Sequence, residues 1–346
     1  MGVSQIVEEF ISLCAVRGHE EDYIRCLGER LSHSGETEIR RLFSVCRFHA
    51  VETGKKKILV VGYVSTPGFL ASEIKENGYV KMEPIDGIGN RNPLTWIEPF
   101  VPVDAETFSK RVTLYGERAI DAVVPAPPVH YQTSVGKLAK ADGLYAVTGY
   151  TKQELEQFLR PGDAITYAPY LQRVLNRNFF APFLEQRVVA AVLVFLAEQM
   201  TKADLNFDVS VAVTGGSDFS GAVQAVELER PDEVIVVSTT TEQSYKNAGV
   251  APSDGILQCF GSAVNYGYSQ ELEQYFKNNG FRHDRVASLV HTDTPADQCC
   301  YLERGIPTAM FAIPVKYTRT SVSMVNEANA EYLATALAKY FSGKGV

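Results

Sequence analysis

Residues 208–222 read DVSVAVTGGSDFSGA, and the apolar run VIVV follows at 234–237. Val209, Val211 and Val213 alternate with Ser210 and Ala212, the two-residue period of a strand. Ser217 and Asp218 are N-cap residue types for a helix over 219–226, and Gly215-Gly216 makes the join. In an α/β domain, ligands and chemistry collect beyond the carboxyl ends of the strands. The turn after this strand is therefore where catalytic side chains are expected, and it offers two residues that have none. It is glycine-rich ahead of a helix, but it lacks the Lys-Ser/Thr of a P-loop and the spacing of a dinucleotide fingerprint.

The chain can be read outward from that strand. The run KILVVGYV at 57–64 is apolar almost throughout, the pattern of a strand buried on both faces of a parallel sheet, and Pro67-Gly68 stops it. Apolar residues at helical spacing predict helices over 5–13, 20–31 and 184–200, with Glu20 and Glu21 favouring the start of the second. After residue 70, short alternating runs such as 78–82 and 111–114 are separated by Gly, Pro and Asn. This predicts an all-β insertion carrying one short helix over 152–158. Beyond Asn178, strands are predicted over 207–214, 234–238 and 308–313, and helices over 219–226, 270–279 and 327–341. The expected architecture is a three-layer α/β/α domain with a mainly parallel central sheet, formed by residues 1–70 and 169–346. A small barrel-like all-β domain at 71–168 is inserted into it.

The 346 residues are 45% hydrophobic and 21% charged, ordinary for a globular chain with a full core. A formal charge of −8 argues against a nucleic-acid or acidic-membrane surface. No basic region followed by an apolar run opens the sequence, and the most apolar helix candidate, 188–196, is too short to span a bilayer. The expected location is the cytoplasm. Cys14, Cys26, Cys46, Cys259, Cys299 and Cys300 include no C-x-x-C pair, which suits reduced thiols. None of the six histidines forms an H-x-x-x-H or H-E-x-x-H pair. His19 reads as a capping or surface residue and His130 as packing. His291-Thr292-Asp293-Thr294, after an apolar run, is either a solvated loop or the best local candidate for a site.

Short motifs run in order along nearly the whole chain. They are Arg17-Gly18-His19-Glu20, residues 57–69, Gly116-Glu117-Arg118, Pro127-Pro128-Val129-His130 and Gly162-Asp163-Ala164-Ile165-Thr166. Glu185-Gln186-Arg187, Gly221-Ala222, Pro231-Asp232, Gly305-Ile306-Pro307-Thr308 and Ile313-Pro314-Val315-Lys316-Tyr317 continue the series. Their order and spacing resemble the tetrahedral (TET) aminopeptidases, metallopeptidase family forty-two, which includes glutamyl and deblocking aminopeptidases. The resemblance implies two divalent metals, zinc or cobalt, that share a carboxylate and activate a water, which a glutamate deprotonates for attack on the N-terminal peptide bond. It also implies a dimer or higher homo-oligomer built with the help of the β insertion, and allows co-assembly with an active paralogous aminopeptidase.

Carried over residue by residue, the family's ligand set falls on other chemistry. Its first histidine and supporting aspartate fall on Tyr63 and Ser65, and a neutral phenol with a reference pKa of about 10 is a poor zinc ligand. The bridging aspartate falls on Glu185, which alone keeps a carboxylate. The paired glutamates, general base and then ligand, fall on Gly215 and Gly216. The aspartate closing the next strand falls on Ser238, the last histidine on Arg319, a permanent cation, and the aspartate of the substrate-side loop on Pro295. The resemblance therefore implies a catalytically degenerate homologue without a metal cofactor, acting as a non-hydrolytic binding, regulatory or structural subunit. Its former active-site pocket, lined by Tyr63, Ser65, Glu185, Arg187, Ser238 and Arg319, suits a small polar, zwitterionic or peptide ligand. The alternative is an active hydrolase, an aminopeptidase with two divalent metals in a rebuilt site that recruits His291, Asp293 or Asp218 around Glu185.

Overall fold

The apolar run at 57–64 and the alternating run at 208–214 form neighbouring parallel strands, with Thr214 beside Tyr63. The structure, a computed structural model, describes residues 1–85, 107–126, 144–216, 220–241, 255–261, 264–287, 305–318 and 320–343. The chain begins as α1 (Val3–Phe10), α2 (Glu21–Leu31), β1 (Glu36–Ile39), β2 (Phe43–Phe48) and β3 (Lys57–Tyr63). Next come β4 (Gly68–Ile74), β5 (Tyr79–Ile85), β6 (Arg111–Tyr115), β7 (Ala119–Val123), β8 (Tyr145–Val147), α3 (Lys152–Leu155) and β9 (Ala164–Tyr167). They are followed by β10 (Gln172–Val174), β11 (Asn178–Ala181), α4 (Leu184–Met200), β12 (Asp208–Thr214), α5 (Ser220–Glu229) and β13 (Glu233–Thr241). The last elements are β14 (Ile256–Phe260), α6 (Tyr266–Asn278), β15 (His283–Ala287), β16 (Thr308–Lys316), β17 (Ser323–Asn326) and α7 (Glu327–Ser342). They divide into two units, one of Met1–Ser65, Leu171–Thr318 and Val322–Val346, the other of Thr66–Tyr170 and Arg319–Ser321.

In the first unit, strands run in the order β1-β2-β12-β3-β13-β16-β17-β11-β10, with β14 also beside β16 and β15 beside β14. The heart β12-β3-β13-β16 is parallel, while β2, β14 and β17 join it antiparallel. The central sheet is thus mainly parallel, as its apolar runs require. Ile58 and Val60 of β3 pack in a core with α1, α2, α4, α6 and α7, and Leu59, Val61 and Tyr63 pack on the other face with Ala222 and Ala225 of α5. Helices on both faces give the three layers. Gly62 lets α4 lie directly on β3, since a Cβ there would fall 2.4 Å from Val189 Cγ1 and 2.9 Å from Leu193 Cδ1.

The second unit is a closed barrel, β4-β5-β8-β7-β6-β9. Phe69, Val80, Met82, Val112, Leu114 and Ile165 are fully buried in it, and Phe69 meets Tyr167 edge-on at 6.0 Å. The helix expected over 152–158 is a single turn, Lys152–Leu155, held by a reciprocal Thr151–Glu154 capping box. The helix expected over 5–13 stops at Phe10, and β13 and β16 run to Thr241 and Lys316, beyond their apolar stretches. The expected caps Ser217 and Asp218 lie outside the described residues. Among the described residues no helix is long and apolar enough to cross a membrane.

Two predictions concern this scaffold. Gly62→Ala forces a methyl against α4 and is expected to cost about 1–3 kcal/mol, read as a lowered urea midpoint with an unchanged far-UV spectrum. His283 is buried between Phe276, stacked at 6.3 Å, and Gln258, whose Oε1 lies 2.6 Å from Nε2. Burial pulls its pKa down to about 4, with nearby Glu273 only partly opposing. The unfolded chain then binds the proton more readily, so the stability that a neutral His283 supplies is complete above about pH 6.5 and drains away as the pH falls toward 4. His283→Gln is expected to flatten the fall in melting temperature across that window.

Candidate functional site

Tyr63 ends β3, Ser65 follows it, Gly215 and Gly216 follow β12, Glu185 stands in the first turn of α4 and Ser238 lies within β13. Tyr63, the last residue of β3, is fully buried, and its phenol donates to the Gly216 carbonyl at 2.9 Å while accepting from Arg17 Nε at 2.9 Å. Burial pushes the phenol up to about 12, with the Arg17 charge opposing. Two residues on, Ser65 Oγ donates to Glu20 Oε1 at 3.0 Å. The same Glu20 oxygen accepts from the Gly216 amide at 2.6 Å. Glu20 is the N-cap residue of α2, but its side chain does not cap that helix and reaches across to the β12 turn.

That turn tolerates little else. Gly216 has φ of +92°, a left-handed conformation that favours glycine, and a Cβ there would meet Ser220 Oγ at 2.4 Å. A Cβ on Gly215 would fall 2.7 Å from Ser65 Oγ, 2.8 Å from Ile24 Cδ1 and 2.9 Å from Glu20 Oε1. The space a side chain at 215 would enter is thus already filled from β3 and α2. The Gly215 amide donates to the Leu42 carbonyl at 2.8 Å and its carbonyl accepts from Gly221 at 3.1 Å, which fixes the turn through backbone bonds.

Phe183, buried and left-handed at φ 46°, turns the chain into α4 and sets Glu185 in the helix's first turn, where the positive end of the helix dipole favours a carboxylate. Glu185 is 1% exposed, and Ser323 Oγ lies 3.3 and 3.2 Å from its two oxygens and 3.2 Å from the Tyr317 carbonyl. The single hydroxyl proton of Ser323 can be donated to only one of these acceptors at a time. Arg187 faces away from this chemistry: its Nη1 and Nη2 donate to the carbonyls of Phe10 and Leu13 at 3.1 Å each, and the guanidinium lies 5.4 Å from the Tyr23 ring centroid. It satisfies carbonyls at and beyond the end of α1, which accounts for that helix stopping at Phe10. Ser238 is fully buried in β13, beside Ala312 of β16.

Glu20 Oε2, Gln186 Oε1, Thr239 Oγ1 and Thr240 Oγ1 are buried without a hydrogen-bond partner, as are atoms in other segments such as Ser269 Oγ and His283 Nδ1. His19 is exposed, as expected of a surface residue. Arg319, His291, Asp293, Asp218, Pro295, His130, Cys299 and Cys300 lie outside the described residues. A hollow of about 210 Å³ at the other end of β3 and β12 is lined by Arg47, His49, Lys57, Asp208 and Glu229, but Arg47 and Ser210 both bond Glu229 there, a closed network.

The family model for M42 glutamyl aminopeptidase matches residues 45–335. The chain belongs to the M42 peptidase family. Over 278 residues it is 21% identical to a lysyl aminopeptidase of Pyrococcus furiosus, covering 78% of this chain and 77% of that relative. Its fold is that of an aminopeptidase from the archaeon Desulfurococcus kamchatkensis, with a TM-score of 0.82, 16% identity and coverage of 99% and 96% of the two chains. It is also that of the TET1 peptidase of Pyrococcus horikoshii, with a TM-score of 0.82, 14% identity and coverage of 98% and 99%.

At the described positions where the resemblance puts the base and the ligands, this M42 chain has a phenol with both its proton and a lone pair engaged, Tyr63, the glycines 215 and 216, the hydroxyl of Ser238 and one carboxylate, Glu185. Zinc takes thiolate, imidazole or carboxylate ligands, so this set does not fit a dinuclear centre. Among the described residues no three His, Cys, Asp or Glu side chains gather as a metal group. Glu20 and Ser323 are the site residues that reading the sequence misses. The contact from Glu20 to Gly216 spans 196 positions, and no local pattern announces it. Tyr63→Phe deletes the donor to the Gly216 carbonyl and the acceptor for Arg17. It is expected to cost about 1–3 kcal/mol by chemical denaturation, with the helix content preserved.

Proposed function

We propose that this chain is a non-hydrolytic member of the M42 family, which holds a small polar or zwitterionic ligand at the carboxyl ends of β3, β12 and β13 and carries no dinuclear centre. The observation that carries this reading is the β12 turn. Where the family's resemblance calls for a general base, Gly215 has no side chain and no room for one, and Tyr63 is a locked, protonated phenol. Without a base or a ligand set to generate a nucleophile, most of the rate enhancement of metal-assisted hydrolysis is gone. The domain division expected from the sequence fits this reading, with the barrel serving self-association rather than chemistry. Relatives of this fold include a TET1 peptidase that assembles into a tetrahedron or a large octahedral shell, which supports homo-oligomerisation here, alone or with an active paralogue. A cytoplasmic setting agrees with the reduced-thiol pattern of the cysteines.

A second reading, a hydrolase with a rebuilt site, is favoured by one observation: Glu185 and Glu20 are both buried carboxylates beside these strand ends. Protein purified without a polyhistidine tag and re-equilibrated with zinc, cobalt or manganese separates the two. Under the first reading, elemental analysis finds near-zero metal per chain, and aminoacyl p-nitroanilides are not cleaved above background. Metal occupancy approaching two per chain, with cleavage lost in Glu185→Ala, would establish the second.

A further inference from the structure

The sheet of the first unit has two ends. At one end β1 pairs only with β2, and at the other β10 pairs only with β11, so among the described residues each presents an outward row of backbone N–H and C=O groups. The two edges carry opposite charge. Glu36 and Glu38 stand on β1, while Arg173 stands on β10 and Arg177 in the turn after it. Charged side chains on an edge ordinarily keep the strands of separate molecules apart. Here their signs oppose β1 meeting β1 and β10 meeting β10, but favour β1 meeting β10. We propose that β10 of one copy adds alongside β1 of a second copy, a head-to-tail contact that carries the central sheet from chain to chain. This goes beyond the self-association assigned above to the barrel, because it uses two different surfaces and neither lies on the barrel.

The side-chain pattern selects one register. Glu36 and Glu38 share one side of β1, where Glu38 bonds Arg47 and Arg47 bonds Glu229 of α5, and Thr37 and Ile39 take the other. On β10, Arg173 reaches Glu8 Oε2 at 2.8 Å and Ser4 Oγ at 3.2 Å on the α1 side, which leaves Gln172 and Val174 on the reverse. Setting Arg173 beside Glu38 in a parallel pair therefore sets Val174 beside Ile39, each 39% exposed in the single chain. Strand direction agrees. Through the ladder of pairings β1 runs with β12 and β10 runs against it. Turning the second copy over, about an axis across its strands, makes the two edges parallel, and the same turn brings the acids of β1 to the side of Arg173. Without the turn the edges are antiparallel and Arg173 falls beside Thr37 and Ile39. The charges also remain open to a partner. The Glu36 side chain is 71% exposed and reaches only Arg47 among the described residues, at 3.6 Å, and Arg173 Nη1 takes no partner among them.

The test uses the full chain at low ionic strength. Light scattering across a range of concentrations is expected to show association that weakens as added salt screens the charges. Val174→Glu changes an exposed residue outside the contacts of Arg173, and it is expected to raise the concentration of half-association by about tenfold or more. Ile39→Cys and Val174→Cys chains, mixed under mild oxidation, are expected to cross-link unlike chains, a product absent from either variant alone and from the native chain. Should Val174→Glu fail to fold, the cross-link between unlike chains decides. Cross-linking within the Ile39→Cys or the Val174→Cys sample alone means that like edges meet, and it overturns the inference. An assembly that gives no cross-link in the mixture and is unmoved by Val174→Glu overturns it too, and leaves the association through the barrel standing. A chain that stays monomeric at every concentration overturns both.

Discussion

The amide of Gly216 is held by Glu20 and its carbonyl by Tyr63, so both polar groups of one residue at the end of β12 are tied by side chains from distant parts of the chain. Each of those side chains is secured in turn, Tyr63 by Arg17 and Glu20 by Ser65. The result is a closed set of buried hydrogen bonds joining the segment before α2, the end of β3 and the β12 turn. In a low-dielectric interior such a network is worth keeping only when it is nearly complete, because any member left alone pays its desolvation cost in full. This explains why Tyr63, although it stands where a histidine belongs in the resemblance, is a structural tie. It also makes the unmet oxygen of Glu20 conspicuous, since it is the open valence of an otherwise satisfied set.

The parallel heart of the sheet was legible because burial on both faces leaves an apolar run with no polar punctuation, as at 57–64 and 234–237. The glycine pair after β12 was legible for a similar reason, since it ends a clean alternation. Edge strands were not. Gln172–Val174 is exposed along its length and Glu36–Ile39 has no buried residue, so neither carries the period that betrays a strand. Short pairs such as β14 with β15 and β17 with β11 exist because a neighbour's edge is available to them, a fact about the assembled sheet.

At the site the pattern is similar. Residues fixed by their place at the end of a strand or the start of a helix, Tyr63, Ser65, Glu185 and Ser238, lie in the neighbouring segments that sequence reading assigned them. Arg187 sits in the right segment, but one helical position decides between facing a pocket and facing α1, and its guanidinium belongs to the carbonyls of Phe10 and Leu13. Spacing locates a residue on an element. The hydrogen-bond deficits of its neighbours decide where its side chain goes.

The order in which this sheet receives its strands sets a schedule for synthesis. At roughly 5–20 residues per second, Tyr63 leaves the ribosome about 8–30 s before Gly216, the residue its phenol must hold, 153 positions later. Through that interval the apolar β3 has no parallel partner. The barrel of β4 to β9 is drawn from one continuous stretch and can close while β3 still waits. In the nascent chain the barrel strands are thus all available while β3 is still unpaired, and the parallel heart of the sheet is completed only when β16 emerges.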